Sequence, residues 1–176
     1  MATSPDPIMA SRAYQEHLLT LLGEDDPAEV QQATPPAVRA MIHEAGGDLR
    51  RKPAAGEWSV LELVGHLADA ELVVGGRYRF ALSHDRPAVI GYDQDRWVAS
   101  LRHNEADPDS LLRLFEPLRA ANLELWLASS SQDRAKEVLH AERGPESFDM
   151  MFRMLAGHDR FHLQQMERTL RQIRRG

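Results

Sequence analysis

Apolar side chains recur along this chain at three- to four-residue spacing, in blocks broken by proline and glycine, and nowhere alternate long enough to indicate a strand. The pattern predicts an all-α protein. A first helix is expected from about Pro7 to Leu22, with Ile8, Tyr14, Leu18, Leu19 and Leu22 facing inward and Gly23 as its stop. Asp26-Pro27-Ala28-Glu29 predicts a short helical turn, and Thr34-Pro35 a separate helix through Val38, Met41 and Ile42 that ends at Gly46-Gly47. After a loop over residues 46–57, Ser59 and Glu62 form a capping box opening a long helix. Its inner stripe is Leu63, His66, Ala70, Val73, Val74, Arg77 and Ala81.

A linker over residues 83–92 precedes a helix begun by Asp93 and carrying Trp97, Val98 and Leu101. Asp107-Pro108 opens a strongly apolar helix with Leu111, Leu112, Phe115, Leu118 and Trp126, in which Pro117 predicts a kink. Residues 129–146 read as a long irregular connection, of the kind that often carries function. Ser147 then caps the last and longest helix.

That last helix holds the chain's most informative stretch. His158 and His162, four residues apart, lie about 40° apart around the axis and can point at one shared spot. Met151, Leu155, Met166 and Ile173 share their face, whereas Arg153, Arg160, Glu167 and Arg171 fall opposite. Two imidazoles in a core-facing stripe must be satisfied, either by a polar neighbour each or by a common metal. His66, on the inner stripe of an earlier helix, offers a third ligand. Arg77 lies three turns beyond it, about 16 Å along the axis, too far to touch a shared metal, and is expected to pair with a buried carboxylate.

Composition narrows the chemistry. At 176 residues, 43% hydrophobic and 27% charged, the chain suits one domain spanning residues 1–176. The absence of cysteine excludes disulfides, thiolate ligands and a protein-borne thiol nucleophile, so a metal must be held by His, Asp or Glu. A net charge of −6 argues against a nucleic-acid partner, and no apolar run approaches a membrane span. With no leader pattern at the N-terminus, the expected location is the cytoplasm. Trp58, Trp97 and Trp126 are expected as core anchors, and His17, His43, His84 and His103 as exposed side chains.

Together, Glu57-Trp58-Ser59-Val60, Gly65-His66-Leu67-Ala68-Asp69-Ala70-Glu71, the inward Arg77, His140-Ala141-Glu142-Arg143-Gly144 and Gly157-His158-Asp159-Arg160-Phe161-His162-Leu163-Gln164-Gln165 resemble the DinB-like superfamily. The closest likeness is to the branch holding bacillithiol transferase-like proteins and metal-dependent hydrolases. The resemblance covers roughly residues 8–173. It implies an up-down-down-up four-helix bundle, a three-histidine site for nickel or zinc with His66, His158 and His162 as ligands, and assembly as a homodimer. It also places the 140s loop near the site, where His140 and Glu142 would serve as acid and base.

From the residues alone, three neutral imidazoles without a fourth protein ligand describe an open site for one divalent metal per chain, and imidazole suits nickel or zinc. Asp69, Asp159 and Gln165 are candidates to accept from the ligands' second ring nitrogens, or else to be solvated surface groups. A protease is disfavoured, because His158-Asp159-Arg160-Phe161-His162 has aspartate where HExxH enzymes carry glutamate. Three functions then compete. The favoured one is transfer of a low-molecular-weight thiol co-substrate to an electrophilic small molecule. The others are hydrolysis by metal-bound water and a metal that only ties helices together.

Overall fold

The computed structural model describes residues 12–175. Its helices are α1 (Arg12–Leu22), α2 (Pro27–Ala45), α3 (Val60–Ser83), α4 (Gln94–Ser100), α5 (Pro108–Ala128), α6 (Ser131–Arg134) and α7 (Phe148–Arg175). The expected start of the first helix at Pro7 lies outside the described residues. Side-chain caps open several helices as the sequence predicts: Asp26, Ser59, Asp93 and Asp107 each accept from a backbone N–H of the first turn. Ser147 Oγ likewise accepts from Met150 N at 3.1 Å.

Helices α2, α7, α3 and α5 pack in a ring, each on two neighbours, and α1 lies along α7. Their directions follow from cross-helix bonds. Gln31 reaches Phe152, Thr34 reaches Asp159 and Glu44 meets Arg174, so α2 and α7 run in parallel. His66 faces His162 while Tyr78 packs on Phe148, so α3 opposes α7. Arg39 meets Glu116 while Gln31 meets Arg119, so α5 opposes α2. The result is an up-down-down-up four-helix bundle.

Two expectations are corrected. The chain does not break at Thr34-Pro35: α2 runs unbroken from Pro27 to Ala45 with Pro35 and Pro36 inside it. The Gln31 carbonyl, which Pro35 cannot serve for want of an N–H, accepts instead from Arg119 Nη1 at 2.9 Å. The connections on either side of α5 are also not wholly irregular. β1 (Ala88–Val89) pairs in parallel with β2 (Glu137–His140), which forms an antiparallel hairpin with β3 (Gly144–Ser147). Strands of two and four residues, one containing proline, are too short to show alternation.

The core has two apolar clusters. One gathers Tyr78, Trp126, Phe148 and Phe152 with Leu18 from α1. The other gathers Val38, Leu63, Leu67, Phe115 and Leu170. Between them along the bundle axis lies a buried polar layer of Thr34, His66, Asp69, Glu71, Arg119, Asn122, His158, Asp159 and His162. Polar groups held this far from water need partners within the layer, and that requirement organises the site. No described helix is long and apolar enough to cross a membrane.

Candidate metal centre

Helices α3 and α7 bring three imidazoles to one point. The Nε2 atoms of His66 and His158 lie 3.0 Å apart, those of His66 and His162 3.2 Å, and those of His158 and His162 3.1 Å. All three residues are buried. Burial, first of all, holds each ring well below the usual histidine pKa, His158 at about 3, so all three are neutral at pH 7.

Hydrogen bonding within the trio cannot satisfy these atoms. Each Nε2 either carries a proton or does not, so at least two of the three are alike and meet lone pair to lone pair, or proton to proton, at hydrogen-bond distance. A cation shared by three unprotonated Nε2 atoms removes the conflict. The separations also suit one: metal–nitrogen bonds of about 2.0–2.1 Å give donor edges of roughly 2.9 Å in an octahedron and 3.3 Å in a tetrahedron. The set is all imidazole, which fits a borderline transition metal and not magnesium or calcium.

With Nε2 facing inward, each proton belongs on Nδ1. His162 Nδ1 lies 2.9 Å from Gln165 Oε1, which fixes that tautomer. The Nδ1 atoms of His66 and His158 have no hydrogen-bond partner among the described residues. Asp69 and Asp159, expected to accept from ligand rings, are engaged elsewhere. Asp69 Oδ2 lies 2.7 Å from Nε2 of His103, and Asp159 accepts from Thr34 and from Arg119 at 2.5 and 3.0 Å.

Each glycine ahead of a ligand admits a neighbour. A Cβ on Gly65 would sit 2.3 Å from the His103 ring, and one on Gly157 2.0 Å from the Leu18 carbonyl. His103 is therefore buried against α3, a correction to its expected exposure. The aromatic shell is similar in kind. Trp58, half-buried, packs its indole 5.0 Å from the His66 ring and stacks on His162 at 6.4 Å, while Phe161 sets its ring edge-on to His162.

A cavity of about 100 Å³ opens on His158 and runs between α1, α3 and α7. Its walls are mostly apolar, from Leu18, Val74, Met151 and Leu155, and Arg77 lies at its other end. The guanidinium of Arg77 donates to the Ile90 carbonyl at 2.6 Å, and among the described residues it makes no ion pair, contrary to expectation. Arg119, by contrast, makes two fully buried ion pairs, bridging Glu71 and Asp159 across the bundle. Nothing in the periodicity of α5 singled Arg119 out except its place on the apolar face.

His140 and Glu142 are not brought to the histidine trio. His140 is buried in β2, lowered to about 4 by burial and by the charges of Arg143 and Arg77, and its Nδ1 accepts from Glu142 N at 3.2 Å. The Glu142 side chain is exposed and lies against Gly91. Neither is among the residues that line the cavity. The loop's contribution there is Arg143, whose Nη2 donates to Glu146 at 3.0 Å.

An up-down-down-up bundle with three inward histidines on antiparallel helices is the arrangement of a metal-dependent bundle protein. The sequence model of the DinB superfamily matches residues 14–166, and the chain belongs to that superfamily. Two proteins of Oceanobacillus iheyensis, each named a putative metal-dependent hydrolase, are similar to it. One is 24% identical over 116 residues, covering 66% of each chain. The other is 28% identical over 109 residues, 62% of this chain and 63% of its own. A Bacillus cereus protein of the same name is 26% identical over 107 residues, 61% of each. The matches thus span just under two thirds of these relatives' length. Among solved structures, YfiT from Bacillus subtilis, described as a probable metal-dependent hydrolase with an unusual four-helix bundle topology, superposes with a TM-score of 0.74. It covers 97% of this chain and 93% of its own at 20% identity, a likeness of fold. The relatives' names and the histidine trio support a metal-dependent function.

Proposed function

We propose that His66, His158 and His162 hold one divalent transition metal, nickel or zinc, and that the chain is an enzyme transferring a low-molecular-weight thiol to electrophilic small molecules. The observation that carries the metal reading is the triangle of neutral, buried Nε2 atoms, which no arrangement of protons among them satisfies. Three protein ligands leave a position for a small molecule, and a metal there lowers the pKa of the water or thiol that occupies it. The chain's own residues prepare that position. Burial keeps the imidazoles unprotonated, Gln165 orients His162, and Trp58 and Phe161 shield the rings from water.

The thiol reading is supported by the resemblance to bacillithiol transferase-like proteins, and no carboxylate is among the described residues that line the cavity to serve as an evident base for water. The chain has no cysteine, and the thiol must arrive as a co-substrate. Hydrolysis is the second reading, favoured by the names of the relatives. The test is to load the protein with nickel or zinc and offer a model electrophile with low-molecular-weight thiols, then with water alone. Thiol-dependent conjugation that His158→Ala abolishes supports transfer, and turnover without thiol supports hydrolysis. No turnover in either, with a melting temperature that falls on chelation, leaves a structural metal.

Assembly as a homodimer belongs to the same proposal, supported by the exposed Leu72 and Phe80 on α3. Light scattering that finds a monomer near 19.9 kDa at micromolar concentration refutes it.

A further inference from the structure

The cavity has a polar end that the metal reading leaves unused. Arg77 stands three helical turns from His66 along α3, roughly 16 Å by helix rise, and is only 8% exposed. Its nearest carboxylates are committed or turned outward. Glu146 is fully buried and held by Arg143 and by Gln15 Nε2 at 2.7 Å, and Glu142 is exposed beside Gly91. Burial, and then the Arg143 charge, lower the pKa of this guanidinium although Glu146, Tyr92 and Glu142 act to raise it, so its charge is under-compensated where it stands.

A second group points the same way. Gln94, from the first turn of α4, is 3% exposed, lines the cavity, and has no hydrogen-bond partner for Nε2 among the described residues. Besides these donors, His158 and the side chains of Tyr14, Gln15, Tyr92 and Arg143, the wall is apolar, built by Leu18, Ala70, Val74, Met151, Met154 and Leu155. The cavity therefore offers hydrogen-bond donors at one end, an aliphatic middle and an imidazole of the histidine trio at the other.

We propose that this cavity binds a small organic carboxylate, its anionic group on Arg77 and Gln94 Nε2 and its aliphatic body directed toward His158. The proposal rests on the reading of the histidine trio as the reacting centre, and it names the substrate class: a molecule carrying one carboxylate some distance from its reactive atom. Arg143 does not take this role, because Glu146 already neutralises it. The volume of about 100 Å³ suits a short-chain acid and excludes a peptide or lipid.

Calorimetry on the full-length, metal-loaded protein tests this with hexanoate against uncharged hexanamide. Hexanoate is expected to bind at least about tenfold tighter, because a charge-assisted contact is lost with the amide. Arg77→Met should remove that preference, Arg77→Lys should restore part of it, and Gln94→Glu should abolish hexanoate binding by placing a second anion beside Arg77. Equal affinity for acid and amide overturns the proposal. So does hexanoate binding that Arg77→Met leaves intact, since the carboxylate then sits on the metal or elsewhere. Should Arg77→Met fail to fold, Gln94→Glu, which keeps Arg77 and the side-chain shape, decides alone. The two readings fail separately. Metal content of the wild type reports on the histidine trio, whereas the acid-to-amide ratio reports on Arg77.

Discussion

Arg119 donates to the carbonyl of Gln31, the one helical acceptor that Pro35 leaves without its N–H donor. The same guanidinium bridges Glu71 on α3 and Asp159 on α7, so one buried side chain ties α5 to each other helix of the bundle. Two carboxylates and a carbonyl depend on it. Arg119→Met should therefore destabilise the fold by about 3–5 kcal/mol, the cost of stranding buried charge. Urea unfolding measures this. Neutralising the partners as well, with Glu71→Gln and Asp159→Asn, should recover part of the loss. A change under about 1 kcal/mol for Arg119→Met alone would show that the layer does not depend on this residue.

The sequence made the histidine trio legible because helical periodicity is strict: residues 158 and 162 share a face whatever surrounds them. Caps such as Ser59 with Glu62 were legible for the same reason, since the two bonds that make the cap span three residues. What escaped is what depends on distant partners. Thr34-Pro35 reads as a break until Arg119, 84 positions from Pro35 in sequence, supplies the missing donor. His103 reads as a loop residue until Gly65 opens a seat for its ring and Asp69 meets its Nε2. Asp69 and Asp159 lie near the ligands in sequence, but these partners claim them first. Gln165 alone of the three candidates stayed with a ligand, because its contact to His162 spans a single helical turn.

The Gly65 and His103 pairing is open to a double-mutant cycle. A methyl group added at Gly65 falls 2.3–2.8 Å from three atoms of the His103 side chain. Gly65→Ala should cost about 1–3 kcal/mol through overpacking. In a His103→Ala background the same substitution should cost far less, because the obstructing ring is gone. Additive effects in thermal unfolding would mean that the two residues do not meet.

Acid sensitivity follows from His140. Burial and the neighbouring Arg143 and Arg77 charges lower it to about 4 from the ordinary 6.5. Between those two values the unfolded chain binds a proton at this position that the folded chain does not. Stability therefore falls as pH is lowered from about 6.5 toward 4. His140→Gln, which cannot titrate, should lose less melting temperature than the wild type between pH 7 and pH 4.5. The difference between the two proteins isolates His140 from the other buried histidines, which both retain. Parallel melting curves would show that His140 takes up its proton equally in the folded and the unfolded chain.

The metal itself gives the most direct measurement. Purified protein should carry about one transition metal per chain, and His66→Ala, His158→Ala and His162→Ala should each lose most of it, because two imidazoles make a weak site. Gln165→Leu removes only the acceptor that orients His162, and should weaken affinity by roughly 10- to 100-fold without emptying the site at high metal concentration. Trp58 supplies an independent readout, since its indole lies 5.0 Å from the His66 ring. Open-shell nickel bound at the trio should quench part of the tryptophan emission, whereas zinc, with a filled d shell, should not. In Trp58→Phe the nickel-dependent quenching should largely vanish, because Trp97 packs instead on Tyr92 and Trp126 on Phe148 and Phe152. Retention of metal by all three alanine variants would place the ion elsewhere. Quenching that persists undiminished in Trp58→Phe would separate the metal from the histidines even if elemental analysis found one ion per chain.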